Sequence, residues 1–92
     1  MTTMMIVHET ENGEHWAKSW QKGEGSRHEM FGEIGVKCRI FRDPNNPDFT
    51  GVLAEIPDMT EFENFLATDE AKKAMAEDGL KVESMRTLIE FN

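Results

Sequence analysis

Hydrophobic positions change their spacing twice in the second half of the chain. Phe49-Thr50-Gly51-Val52-Leu53-Ala54-Glu55-Ile56 is a short β run, and Pro57-Asp58 ends it. Beyond it Met59, Phe62, Phe65 and Leu66 fall on one face at a 3.6-residue period, which predicts a helix starting at about Met59. Asp58 is placed to cap its first turn while Glu61 reaches back, the reciprocal pattern of a capping box. Thr68 followed by Asp69 and Glu70 starts a second helix carrying Ala71, Ala74 and Met75, and Gly79 stops it. A closing strand follows, from about Val82 to Phe91.

The first half repeats this order. Met4-Met5-Ile6-Val7-His8 is a continuous apolar strand closed by a histidine, and Asn12 suits the cap of the helix that follows. Trp16 and Trp20 share one face of that helix before Gly23-Glu24-Gly25 interrupts it. Ser26 with Glu29 forms a second capping box that restarts the helix through Met30 and Phe31, and Gly35 ends it. Val36-Lys37-Cys38-Arg39-Ile40-Phe41 is the second strand, joined to the third through a Pro44-Asn45-Asn46-Pro47 loop. The sum is a βαββαβ order, an α+β, ferredoxin-like domain spanning residues 1–92, with a four-stranded antiparallel sheet and its helices on one face. In the fourth strand Val82, Ser84, Arg86 and Leu88 alternate with Glu83, Met85, Thr87, Ile89 and Phe91, so both sheet faces carry apolar residues. A second protomer is the simplest cover for the free face, which predicts a homodimer.

Composition narrows the partners. With 18 acidic against 10 basic residues the formal charge is −8, which repels a phosphate backbone and argues against nucleic acid and against an anionic membrane. At 92 residues the core is small, and association is a natural way to bury more apolar surface. Cys38 is the only cysteine, and no apolar run reaches the length of a membrane span or signal core, so the expected location is cytoplasmic. His8, His15 and His28 show no ligand spacing, and no metal is expected.

Three stretches carry a family resemblance across nearly the whole chain: Ile6-Val7-His8 leading to Trp16, Arg39-Ile40-Phe41-Arg42-Asp43 before an Asp/Asn/Pro loop, and Phe65-Leu66-Ala67 ahead of Asp69-Glu70-Ala71-Lys72-Lys73-Ala74-Met75. In these the chain resembles the dimeric α/β-barrel superfamily that contains the antibiotic-biosynthesis monooxygenase-like proteins. The resemblance implies the fold and the dimer but leaves the activity open, since the superfamily holds cofactor-free oxygenases, haem-degrading enzymes, isomerases, cyclases and members without known activity. Its haem-degrading members use an asparagine on the first strand and a tryptophan and histidine on the helix after the third. Residues 59–78 contain neither Trp nor His, so no haem, and no other cofactor, is expected.

Five residues remain as candidates for binding a small apolar or weakly anionic ligand: His8, Trp16, Trp20, His28 and Arg39. His28, one turn inside the restarted helix, suits acid, base or donor work near neutral pH, and the resemblance implies a histidine in that segment. A surface histidine is the bland alternative. His8 closes an apolar strand, where a satisfied core or interface imidazole is the commoner outcome. Trp16 and Trp20 are spaced to wall a planar ligand, although a small domain needs such side chains for its core. Arg39, read as facing inward from the second strand, requires either an anionic ligand or a carboxylate, for which Glu55 is the candidate. Cys38 reads as a small buried filler. Two function classes follow: a cofactor-independent oxygenase, isomerase or cyclase acting on an aromatic or polyketide-like compound, or a non-catalytic dimer that binds a ligand or a protein.

Overall fold

The computed structural model describes residues 1–21 and 23–91. Strand β1 (Thr2–Thr10) is followed by helices α1 (Gly13–Ser19) and α2 (Arg27–Gly32), then strands β2 (Lys37–Asp43) and β3 (Asn46–Ile56). Helices α3 (Met59–Leu66) and α4 (Asp69–Glu77) lead into strand β4 (Leu80–Ile89). The strands lie in the order β2-β3-β1-β4, every neighbouring pair antiparallel, which is the ferredoxin-like arrangement expected from the βαββαβ pattern.

Register decides which side chains meet. In β1 and β3 Met4 lies opposite Ala54, Ile6 opposite Val52 and His8 opposite Thr50, while Cys38 and Ile40 of β2 face the same Ala54 and Val52 from the other side. Directly opposed residues share a face, so this set looks toward the helices. There it joins Trp16, Trp20 and Phe62 in one buried cluster, with Ile56 completely enclosed. Met5, Val7, Phe41, Leu53 and Leu88 occupy the opposite face, where Phe41 and Leu88 are more than half exposed (52% and 64%).

The helices start where side chains can satisfy their first amides. The Asn12 carboxamide oxygen accepts from the amides of Glu14 (3.0 Å) and His15 (3.1 Å), Ser26 Oγ from Glu29 (3.2 Å), Asp58 Oδ1 from Glu61 (3.1 Å) and Thr68 Oγ1 from Ala71 (3.2 Å). Gly79, at φ +74°, takes the left-handed turn that ends the last helix and redirects the chain into β4. Gly13 is required by space, since a Cβ there would stand 1.8 Å from the carbonyl oxygen of Pro47.

Strand β1 extends two residues beyond its expected Met4–His8 at each end, β2 is shifted toward Asp43, and larger differences lie at the β2–β3 loop and in β4. The loop after β2 is only Pro44-Asn45, because the Asp43 carboxylate accepts from the Asn45 amide (2.8 Å) and closes a tight turn, and a register shift after Arg42 admits Pro47 into the strand. Strand β4 begins at Leu80 and ends at Ile89, leaving Phe91 outside it and 95% exposed.

Candidate functional site

Helices and sheet do not close completely on one another. Between them lies a cavity of about 100 Å³, with Ile6, Val52 and Ala54 on the sheet side and Trp16, Phe62 and Ala71 on the helix side. Its lining is almost entirely apolar, and the ionisable exceptions are His8, Arg27, Asp78 and the thiol of Cys38. A buried apolar hollow of about 150 Å³ takes a benzene ring. The present cavity is therefore of the size of a small ring or less.

His8 is held on three sides. Its ring is only 3% exposed and meets Trp16 edge-on at 5.6 Å, which fixes the plane of the imidazole. Thr50 Oγ1 stands 2.6 Å from His8 Nδ1 and 3.1 Å from the His8 carbonyl oxygen. A hydroxyl has one proton, and a carbonyl can only accept. Donation to the carbonyl leaves Oγ1 to accept from Nδ1–H, so hydrogen-bond balance assigns the Nδ1–H tautomer. Nε2, with its lone pair, is the ring nitrogen left for whatever fills the cavity. Burial lowers the His8 pKa below its ordinary value, opposed only in part by the interaction of the ring with its own backbone, and the ring is neutral near pH 7.

Arg27 and Asp78 form the other polar part of the lining. Arg27 Nε donates to Asp78 Oδ2 at 2.9 Å and Nη2 to Oδ1 at 3.0 Å, a bidentate pair, with Glu77 a further 3.7 Å from Nη2. The side chains of Arg27 and Asp78 are 18% and 8% exposed. The pair ties the start of α2 to the end of α4, and it leaves the guanidinium neutralised before any ligand arrives. Cys38 is inert, because desolvation pushes its thiol up to about 12.

Of the five residues expected from sequence, His8, Trp16 and Trp20 line the cavity together. The tryptophans lie 6.1 Å apart and tilted by 48°, and Trp20 stacks on Phe31 at 5.6 Å. Both are core residues and cavity wall at once. The Trp20 Nε1–H is buried without a hydrogen-bond partner. His28 stands behind this wall, edge-on to Trp20 at 5.1 Å, rather than in the lining. Arg39 belongs elsewhere. Contrary to the inward reading, it is exposed on the open face of the sheet, opposite Leu53, with its guanidinium 6.0 Å from the Phe41 ring, and the residue opposite Glu55 is Lys37. Period-two alternation carried this signal, since Val36, Cys38 and Ile40 claim the inner face and leave Lys37 and Arg39 outside. Thr50, Arg27 and Asp78 were not found by sequence reasoning, because their roles depend on contacts 42 and 51 residues apart.

A wider, shallow hollow of about 300 Å³ lies at Val7, Phe41, Phe49 and Gly51 on the open face. Among the described residues no three His, Cys, Asp or Glu side chains are grouped to hold a metal ion, and no helix is long and apolar enough to cross a membrane.

No family model matches the chain, and no curated protein does. Solved structures do. A crystal structure of an antibiotic biosynthesis monooxygenase superimposes with a TM-score of 0.71 at 11% identity, over 100% of this chain and 98% of that one. A protein from Nitrosomonas europaea described as a "putative antibiotic biosynthesis monooxygenase" does so with a TM-score of 0.70 at 10% identity, again over 100% and 98%. At these identities the likeness establishes the fold, and the resemblance read from the sequence holds at that level.

Proposed function

We propose that the protein binds a small apolar molecule in the cavity between helices and sheet, with His8 as the polar group that meets it, and that it does so as a homodimer joined through the open sheet face. The observation that carries the reading is the lining itself: an apolar wall including two tryptophans, broken by a buried imidazole whose Nδ1 is already committed. Apolar walls supply affinity and a few fixed polar atoms supply orientation. The dimer rests on Met5, Val7, Phe41, Leu53 and Leu88, which share a sheet face that none of the described helices covers.

The catalytic form of this reading is a cofactor-independent oxygenase, isomerase or cyclase acting on an aromatic or polyketide-like compound, with His8 Nε2 accepting a proton. The other form is a non-catalytic ligand-binding dimer. One observation favours binding: Arg27 and Asp78 satisfy each other and burial keeps the Cys38 thiol protonated, so among the described residues His8 has no second free acid or base in the lining. The fold likeness to proteins named as monooxygenases supports the catalytic form by analogy alone.

Toluene is a suitable probe of the cavity. Its titration should give a saturable change in tryptophan fluorescence, because Trp16 and Trp20 both border the space. A featureless titration up to the solubility limit would remove the binding reading.

A further inference from the structure

Three properties of the lining restrict what the cavity accepts. First, His8 Nε2 offers an occupant an acceptor, because Thr50 holds the proton of this tautomer on Nδ1, and the unpartnered Nε1–H of Trp20 borders the same cavity as a donor, a pair of needs that one hydroxyl group can meet. An occupant that brings only apolar surface leaves that lone pair buried and unpaired. Second, the cation of the lining is spent: Arg27 donates twice to Asp78 and has Glu77 beside it, so its immediate surroundings carry more negative than positive charge. Third, the whole chain carries −8, which opposes the approach of any anion. An anionic ligand would lose its hydration here and meet the Asp78 carboxylate and the His8 lone pair.

Accordingly, we propose that the ligand is an uncharged molecule, about one ring in size, that presents a hydroxyl proton to His8 Nε2. This rests on the binding reading above and narrows it: the weakly anionic class expected from sequence is excluded from the cavity, and neutral hydroxyl compounds are selected over equally large hydrocarbons. Thr50 is the positioning residue for this selection. It touches no ligand, but it holds the imidazole in the accepting tautomer.

Phenol, toluene and benzoate separate the possibilities, since phenol and toluene share shape and differ in the donor, whereas benzoate brings a charge. In titrations of the full chain at pH 7, phenol is expected to bind about tenfold more tightly than toluene, the factor one net hydrogen bond supplies, and benzoate more weakly than either. The nitrogen resonance of unprotonated His8 Nε2 should move upfield with phenol and stay in place with toluene. The His8→Phe variant, where it folds, should bind phenol and toluene alike; the resonance shift tests the same contact without a variant. Equal affinities with an unmoved Nε2, or benzoate binding more tightly than phenol, would overturn the selection while leaving the cavity a binding site. If neither phenol nor toluene binds, the cavity reading falls and this inference with it.

Discussion

The Thr50 hydroxyl stands between two positions of His8, accepting from Nδ1–H and donating to the carbonyl, and replacing that hydroxyl with a methyl group leaves a buried N–H without a partner. Thr50→Val should therefore destabilise the fold by about 1–3 kcal/mol in urea unfolding despite its similar volume. A change within experimental error would show that the 2.6 Å contact contributes nothing. His8 also links stability to pH, and the sign follows from its lowered pKa. The folded state resists the proton that the unfolded chain accepts near pH 6.5. Its contribution is complete above that value and is lost as pH falls toward the lower folded-state pKa. The urea midpoint should thus drop more between pH 7 and pH 5.5 in the natural protein than in His8→Gln, with His15 and His28 present in both. Parallel profiles would contradict a buried neutral imidazole. Sequence placed His8 at the end of an apolar strand and admitted a satisfied core imidazole. Its partner was not legible, because only the β1–β3 register brings residue 50 to residue 8.

Local signals define the elements and leave their clamps unseen. The caps at Asn12, Ser26, Asp58 and Thr68 were readable because each bonds an amide two or three residues away. The Arg27–Asp78 pair joins two helices that are distant in the chain, and no spacing rule announces it. It is mostly buried, so removing one charge leaves the other poorly compensated. Asp78→Asn should destabilise by about 2–4 kcal/mol, reduced from the fully buried case because Arg27 retains some solvent. Glu77→Gln, at a mostly exposed carboxylate 3.7 Å from the same guanidinium, should cost about 0.5 kcal/mol or less. Equal losses in the two variants would mean that the bidentate geometry is not what holds α2 to α4. Gly13→Ala should be more damaging than an ordinary helix substitution, because the new methyl collides with the Pro47 backbone rather than with a side chain that can move.

At the scale of the whole molecule, alternation within strands was enough to read the sheet, its order of helices and its two apolar faces. The same alternation places Arg39 outside, because Val36, Cys38 and Ile40 together claim the inner face. The cavity was not legible, because a space of about 100 Å³ depends on how Trp16, Phe62 and Ala71 settle over Val52 and Ala54 rather than on any one residue. The open face remains the expected contact between copies. Light scattering at micromolar concentration should report twice the chain mass, and Leu88→Lys should shift it toward the monomer by placing a charge on that face, on the edge strand β4; a monomeric natural protein would contradict the homodimer. A second hollow on that same face makes the location of a bound probe the decisive quantity. Isotope-filtered NOE spectroscopy of unlabelled toluene with the labelled protein measures it directly. The expected result is contacts from the toluene protons to Val52, Ala54, Ala71 and Ala74 inside the cavity, and contacts only to Val7, Phe41 and Phe49 on the open face would contradict it.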